Sequence, residues 1–275
     1  MNVEDIKLEP LIVTVAPNGA RKTKKDHDRL PITPEELAVE AHTCMMAGAS
    51  MIHLHVRGDK DEHSLDVGRY REAMAAINDK CGDALLIQAT TEAVGMYSAY
   101  QQMAMVRDLV PPSASLAIRE LVPDGGERAA TAFFHELAEL EILPHYILYS
   151  DEDVKRFNDL RKRGVIPDTK AFLLFVLGRY TENQTSHPRD ILPFLRATDN
   201  RDAWSVCAFG PLEHAAASAA IALGGHVRVG FENNMFLKDG SLARSNADLI
   251  TQISQVSAVV GRPVGGATDI KNIVI

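Results

Sequence analysis

The sequence predicts an α/β fold, a single-domain (β/α)8 TIM barrel over residues 1–275. Three observations favour it. Short apolar runs recur at even intervals, helical segments separate most of them, and eight such units fill the chain. A doubly wound open sheet is the alternative, but no Gly-x-Gly-x-x-Gly follows the first strand. The closed barrel is therefore the predicted architecture.

The predicted strands are short and rich in β-branched and aromatic residues. They cover residues 11–16, 51–56, 84–89, 113–118, 145–150, 171–177, 204–209 and 226–231. The clearest helix spans 33–50, where Thr33 suits the N-cap, Pro34 the first helical position and Gly48 the C-terminal stop. Further helices are predicted over 67–80, 126–141, 152–164, 213–225 and 245–262.

Composition narrows the class of protein. Hydrophobic residues make up 46% and charged residues 24%, as in soluble globular proteins, and the net charge of −8 argues against a nucleic-acid partner. The basic stretch 20–29 is predicted to be a solvated loop. Cys44, Cys81 and Cys207 lack paired spacing, which favours a reducing compartment. With no signal-peptide pattern and no apolar run of membrane-spanning length, we expect a cytoplasmic protein without membrane partners.

Two histidines stand one residue apart in the second predicted strand, in the segment "MIHLHVR". Side chains at positions i and i+2 of a strand share a face, so His53 and His55 are predicted to lie side by side. Such a pair can bind one divalent cation, or it can form a hydrogen-bonded polar pair within the core. In a TIM barrel, active sites collect at the carboxyl ends of the strands, which is where this pair falls.

A third metal ligand is predicted at the end of the eighth strand. Glu232 continues the alternation of His226, Arg228 and Gly230, and only the first strand separates strands eight and two in a closed barrel. Two histidines and one glutamate, with a position left for water or substrate, form a catalytic zinc arrangement. Other divalent metals accept the same ligands.

Six segments spread along the chain carry a family resemblance. They are "VAPNGAR" (15–21), "LPITPEELAVEA" (30–41), "AGASMIHLHVR" (47–57), "FVLG" (175–178), "GGHVRVGFENN" (224–234) and "SNADLI" (245–250). Together they are similar to the β-keto acid cleavage enzyme family. The resemblance implies an oligomeric TIM barrel, a dimer or tetramer, with Zn²⁺ held by His53, His55 and Glu232. It also implies a reaction in which a β-keto acid and acetyl-CoA give acetoacetate and a new acyl-CoA.

The chain departs from the family pattern after the eighth strand. Arg228 has the planar fork that suits a carboxylate, and we expect it to act in catalysis, although pairing with an acid is the other fate of a buried arginine. The family's aspartate after the ligand glutamate is Asn233 here. An amide cannot accept a proton at neutral pH, so Asn233 is predicted to bind substrate without acting as the base.

The third strand ends differently from the family as well. The family's "STGG" is replaced by "TTEA", in which Thr90 and Thr91 can hydrogen-bond a substrate and Glu92 adds a carboxylate. After the fourth strand, Arg119 and Glu120 replace the usual turn. We expect Glu92 or Glu120 to take over acid–base work and Arg119 to contact an anion. The alternative is that Arg119 pairs with one of these glutamates.

Two further features bear on the site. Arg57 follows the histidine pair and is predicted to contact substrate or to form a salt bridge at the strand end. Most other histidines lie in predicted loops or helices, where we expect them to face solvent: His27, His42, His63, His135 and His214.

Two other functions remain open at this point. A hydrolase of the amidohydrolase type also uses His-x-His in a barrel, but on the first strand, and His145 would be its one candidate extra ligand. A metal-binding barrel that has lost turnover is the second, because Asn233 and the missing "STGG" remove family features.

Overall fold

The structure, a computed structural model, describes residues 8–274; the N-terminal segment for which no signal peptide is predicted lies largely outside them. Eight parallel strands close into a barrel in the order β1-β10-β9-β8-β7-β6-β5-β2. They are β1 (Val13–Val15), β2 (Met51–Leu54), β5 (Leu86–Thr90), β6 (Ser113–Ala117), β7 (Leu143–Leu148), β8 (Phe172–Leu177), β9 (Ala203–Ala208) and β10 (His226–Val229). Closure confirms the predicted TIM barrel and makes the doubly wound alternative wrong.

A short antiparallel hairpin, β3 (Val56–Arg57) and β4 (His63–Ser64), follows β2. The sequence did not predict it, because two-residue strands carry no measurable alternation. The hairpin brings residues that follow the histidine pair back over the end of the barrel.

Ten helices surround the barrel and cover its ends among residues 8–274. They are α1 (Pro34–Ala47), α2 (Val67–Cys81), α3 (Ala99–Leu109), α4 (Ile118–Leu121), α5 (Glu127–Glu139), α6 (Asp151–Lys162), α7 (Ile191–Ala197), α8 (Glu213–Ala222), α9 (Asn246–Val260) and α10 (Ala267–Val274). The six predicted helices are confirmed as α1, α2, α5, α6, α8 and α9. None of the helices in this range is long and apolar enough to cross a bilayer.

The ends of α1 follow from its sequence. The Thr33 side chain accepts the N–H of Glu36, whose carboxylate accepts the Thr33 N–H in return, and Pro34 occupies the first turn. Gly48 ends the helix with φ at 115°, a conformation that residues with a Cβ rarely adopt.

The barrel interior is layered. At the amino end of the strands Ile12, Met51 and Phe172 pack with Ile270 and Ile273 of α10, which closes this end. Burying such a side chain contributes roughly 1.5–3 kcal/mol. Further towards the carboxyl end of the strands, the interior contains a layer of polar side chains: His53, Gln88, Ser113, His145 and Ser205. The polar layer therefore lies directly beneath the carboxyl end, where the candidate site opens.

Candidate active site

The histidine pair faces the barrel interior. β2 ends at Leu54, but the chain stays extended long enough to keep both imidazoles on one side. Their Nε2 atoms lie 3.1 Å apart, and both rings are buried. The predicted side-by-side arrangement of His53 and His55 is therefore present.

Glu232 reaches the same point through a turn. β10 ends at Val229, and Gly230 follows with φ at 144°, a backbone conformation that favours glycine. The turn places Glu232 Oε2 at 3.7 Å from His53 Nε2 and 3.4 Å from His55 Nε2. The structure thus brings the three predicted ligands together.

These three side chains fit a divalent metal. Glu232 Oε2 is buried and has no hydrogen-bond partner among the described residues, although it faces two imidazoles. Burial lowers the pKa of His53 well below its usual range, and the Arg228 guanidinium adds to the effect. Although burial opposes ionisation of Glu232, Arg228 and the imidazoles hold the pKa of its carboxyl well below its usual range. Neutral imidazoles beside a carboxylate are the ionisation states that bind zinc.

A chain of hydrogen bonds through the polar layer fixes the tautomer of His53. Ser205 donates to a backbone carbonyl and accepts from His145 Nε2–H, which leaves His145 Nδ1 as an acceptor. Gln88 Nε2 donates to that nitrogen, so Gln88 Oε1 faces His53 Nδ1 at 2.9 Å. Gln88 Oε1 therefore accepts a hydrogen bond from the His53 Nδ1–H. His53 Nε2 consequently presents a lone pair to the site.

Arg228 lies beneath Glu232 and is hydrogen-bonded to it. Its Nη2 donates to Glu232 Oε1 at 3.1 Å, to Cys207 Sγ at 3.0 Å and to Asn233 Oδ1 at 3.3 Å. The Asn233 amide turns away from the cavity and donates to the buried Glu213 carboxylate at 3.2 Å. Asn233 therefore orients Arg228, and it is not among the side chains that line the cavity beside the three ligands.

Glu213 was not predicted as a site residue. Its carboxylate also accepts the Gly230 N–H and the Asn234 side-chain N–H. Burial raises its pKa to about 8, although its three hydrogen-bond donors and Lys22 act in the opposite direction. It ties the start of α8 to the turn that carries Glu232.

An inner cavity opens beside the three ligands. Its polar lining comes from His53, Thr90, Glu92, Arg228 and Glu232, joined by Arg179. Its apolar wall comes from Ile147, Tyr149, Val176 and Phe209. Thr90 and Glu92 therefore both line the cavity beside the three ligands.

The structure places two other predicted residues outside this cavity. Arg119 pairs with Asp153 at 2.7 Å and stacks on Tyr149, so it pairs with neither predicted glutamate. Glu120 accepts the Ala93 N–H at 3.0 Å, which holds the loop that carries Glu92. Burial raises the pKa of Glu120.

The side chains of Thr91 and Arg57 donate hydrogen bonds to backbone carbonyls. The Thr91 hydroxyl donates to the Ser115 carbonyl at 2.8 Å. Arg57 donates to the carbonyls of Asn18, Gly19, Lys22 and Asp61, so it organises two loops and forms no salt bridge within the described residues. Neither side chain lines the inner cavity.

Part of the basic stretch 20–29 is not solvated. Lys22 Nζ donates to the carbonyls of Phe231 and Glu232, each at 2.7 Å, and burial lowers its pKa. His27 and His63 are also buried, so their predicted exposure is wrong. His63 Nε2 donates to the Glu92 carbonyl at 2.7 Å, and burial lowers its pKa to about 4.

The match to a protein family covers nearly the whole chain. The model of the beta-keto acid cleavage enzyme family matches residues 10–274. The chain belongs to this family. The family expected from the sequence is confirmed, and with it an enzyme that acts on β-keto acids with acetyl-CoA.

Curated relatives cover nearly the whole chain. It is 31% identical to a 3-keto-5-aminohexanoate cleavage enzyme of Fusobacterium nucleatum, over 97% of this chain and 98% of the relative. It is 28% identical to a 3-oxoadipate:acetyl-CoA acetyltransferase of Cupriavidus necator, over 93% and 91%.

Among solved structures, the apo structure of ObcA matches with a TM-score of 0.72. The match covers 90% of this chain and 65% of that one at 17% identity. At this identity the likeness supports the barrel fold alone.

Proposed function

We propose that this β-keto acid cleavage enzyme depends on a divalent metal, Zn²⁺ by preference, held by His53, His55 and Glu232. The observation that carries the proposal is the convergence of two Nε2 atoms on the unpartnered Glu232 Oε2. In the proposed reaction, C2 of the keto acid joins the acetyl carbonyl carbon, the C2–C3 bond breaks, and CoA passes to the C3 acyl group. The products are acetoacetate and a new acyl-CoA.

The bound metal would act as a Lewis acid towards the ketone and carboxylate of the keto acid. Arg228 supports this site from below by its bond to Glu232. Its buried Nε has no acceptor among the described residues, so a substrate carboxylate in the inner cavity would satisfy a donor that the fold leaves free.

Glu92 is the proposed general base. It lines the inner cavity with Thr90 and Arg228, whereas Asn233 is an amide bound to Glu213. Glu92 would take a proton from C2 of the keto acid and return it to acetoacetate. Thr90 Oγ1 accepts the Glu92 N–H at 3.2 Å and keeps its own proton for a substrate oxygen. Glu120 supports this loop through Ala93.

The amidohydrolase alternative has little support in the geometry. His145 binds Gln88 and Ser205 through its two nitrogens, which leaves it no lone pair for a metal. Within residues 8–274, the triad is the one group of three such side chains with metal-binding spacing. A barrel without turnover has no specific observation in its favour.

A panel of β-keto acids with acetyl-CoA tests the proposed function. We expect acetoacetate and a new acyl-CoA in equal amounts, and about one metal per chain by elemental analysis. Hydrolysis without CoA would indicate the amidohydrolase type. Metal binding without any turnover would indicate a non-catalytic barrel.

We also propose a cytoplasmic homo-oligomer, a dimer or tetramer. The three cysteines are free and buried, which suits a reducing compartment. Light scattering coupled to gel filtration would measure the oligomeric state.

A further inference from the structure

Two cavities meet at one ion pair. The inner cavity and a neighbouring outer cavity share four lining residues: Glu92, Arg179, Phe209 and Glu232. The outer cavity is otherwise lined by the loop 18–22 and by Gln184. Glu92 follows β5 and Arg179 follows β8, three strands apart in the barrel order, so their pair crosses the open end between the two cavities.

The ion pair with Glu92 engages one nitrogen of the Arg179 guanidinium. One contact joins Arg179 Nη2 to Glu92 Oε1 at 3.3 Å, and no other side-chain oxygen of the described residues accepts from Arg179. A guanidinium has five N–H donors and binds a free carboxylate or phosphate through two of them. Phe209 lies under it, 5.2 Å from the ring centroid, and holds its plane. Arg179 can therefore exchange Glu92 for a better acceptor.

The side chains that line the outer cavity carry a small excess of positive charge. Arg21, Lys22 and Arg179 line it, against Glu92 and Glu232. Glu232 is already bound to Arg228 and faces the imidazole pair. Arg21 is exposed and forms no ion pair with any described residue, so it remains available to a ligand.

We propose that the outer cavity is an anion subsite in which Arg179, assisted by Arg21, binds an anionic group remote from the keto-acid end of the reactants. The group is the distal carboxylate of a 3-oxo-dicarboxylic acid or a phosphate of acetyl-CoA. The inference rests on the proposed function, because it places the keto-acid end at the triad. When the anion binds Arg179, Glu92 loses its partner and becomes free to act as the base.

Calorimetric titration of the metal-loaded protein without turnover tests the subsite directly. The probes are 3-oxoadipate, 3-oxohexanoate as the equal-length monoacid, and CoA alone. If the anion is a distal carboxylate, the wild type binds the diacid about 10- to 100-fold more tightly than the monoacid, and Arg179→Gln removes the difference. If it is a CoA phosphate, Arg179→Gln weakens CoA binding by a similar factor and leaves both keto acids unchanged.

Arg201→Gln is the matched control, because Arg201 is exposed, pairs with Asp168 and Asp199, and precedes β9 at the opposite end of the barrel. It should leave all three affinities unchanged. Glu92→Gln tests the exchange: it removes the competitor for Arg179, so binding of the preferred anion should tighten several-fold. Unchanged affinities for all three probes in Arg179→Gln would overturn the subsite, and unchanged or weaker binding in Glu92→Gln would overturn the exchange. These titrations stand even if no keto acid yields acetoacetate, which would reject the proposed function separately.

Discussion

Gln88 Oε1 accepts the Nδ1–H of His53 at 2.9 Å, inside the barrel and directly beneath the three proposed metal ligands. The direction of this bond is set by the hydrogen-bond chain behind Gln88, in which Gln88 binds His145 and His145 binds Ser205. A side chain that does not reach the cavity thus decides which nitrogen of His53 faces it.

The first prediction concerns this outer partner. Gln88→Leu keeps the approximate volume but frees the His53 ring to rotate and change tautomer. We expect metal affinity to fall about 10- to 100-fold, measured by competition with a chromophoric chelator. Ser113→Ala removes a further contact of Gln88, at 3.3 Å, and the bond of the Ser113 hydroxyl to the Leu143 carbonyl, but it leaves the Gln88–His53 bond in place and should leave the affinity nearly unchanged. Equal affinities of Gln88→Leu and wild type would show that His53 needs no such support.

The second prediction concerns the carboxylate ligand. Glu232→Gln removes the negative charge that faces two imidazoles and Arg228. We expect the metal content to fall from about one per chain to a small fraction, and turnover to fall with it. Asp239→Asn, a change at an exposed position in the segment that follows β10, should retain both. A metal-replete Glu232→Gln protein would contradict the assigned ligand set.

The sequence predicted which three side chains meet, but it did not predict the backbone turn that brings Glu232 to the two histidines. Strand alternation places His53 and His55 together, and barrel closure brings β10 near β2. Glu232, however, was assigned by extending that alternation past Val229, where the strand has already ended. The turn at Gly230 delivers Glu232 to the site and directs Asn233 to Glu213, which alternation cannot foresee.

Loop residues escaped prediction because their partners are remote in sequence. Lys22 binds carbonyls more than 200 residues away, and Arg119 binds Asp153 on α6. Arg179 meets Glu92 only because the barrel places β5 and β8 across from each other. The sequence pattern locates the strands to within a few residues, but the partner of each loop side chain among several nearby charges depends on loop conformation.

The third prediction concerns Gly19, which packs against Glu232. Its φ is +61°, and an added Cβ would lie 2.5 Å from Glu232 Cγ. We expect Gly19→Ala to weaken metal binding and to lower the free energy of unfolding by about 2–4 kcal/mol, from backbone strain plus the clash. Gly261→Ala shares a positive φ of 77° but has open space around its Cβ, so only about 1–2 kcal/mol should be lost. Metal affinity is measured by competition with a chelator, and stability by urea unfolding. Equal losses of both in Gly19→Ala and Gly261→Ala would reject the packing role of Gly19.

The fourth prediction is a pH dependence of stability that arises away from the site. His226 Nδ1 accepts the Ile12 N–H at 3.0 Å and faces Arg262, and burial, then Arg262, lowers its pKa to about 3. The unfolded chain binds a proton below about pH 6.5 and the folded protein does not, so stability falls as the pH drops from there towards 3. At about pH 5 this residue alone costs about 2 kcal/mol.

His226→Asn tests this linkage, because the amide oxygen can replace Nδ1 as acceptor without titrating. The free energy of unfolding is measured with urea at about pH 7.5 and at about pH 5. Its decrease between the two pH values should be smaller by about 2 kcal/mol in the variant than in the wild type. An unchanged difference would mean that His226 is protonated in the folded protein or that another group compensates.

The last prediction addresses the proposed base. Glu92 lines the inner cavity with Thr90 and Arg228, and the His63 bond to its carbonyl fixes its backbone. Glu92→Gln preserves the shape but cannot accept a proton, so we expect kcat to fall about 10²- to 10⁴-fold. Glu120→Gln is the matched comparison, since Glu120 accepts the N–H groups of Ala93 and of the Gln102 side chain and does not line the cavity. A large loss in Glu120→Gln alone would assign the proton transfer to that carboxylate, and near-normal turnover in both variants would remove glutamate from this role.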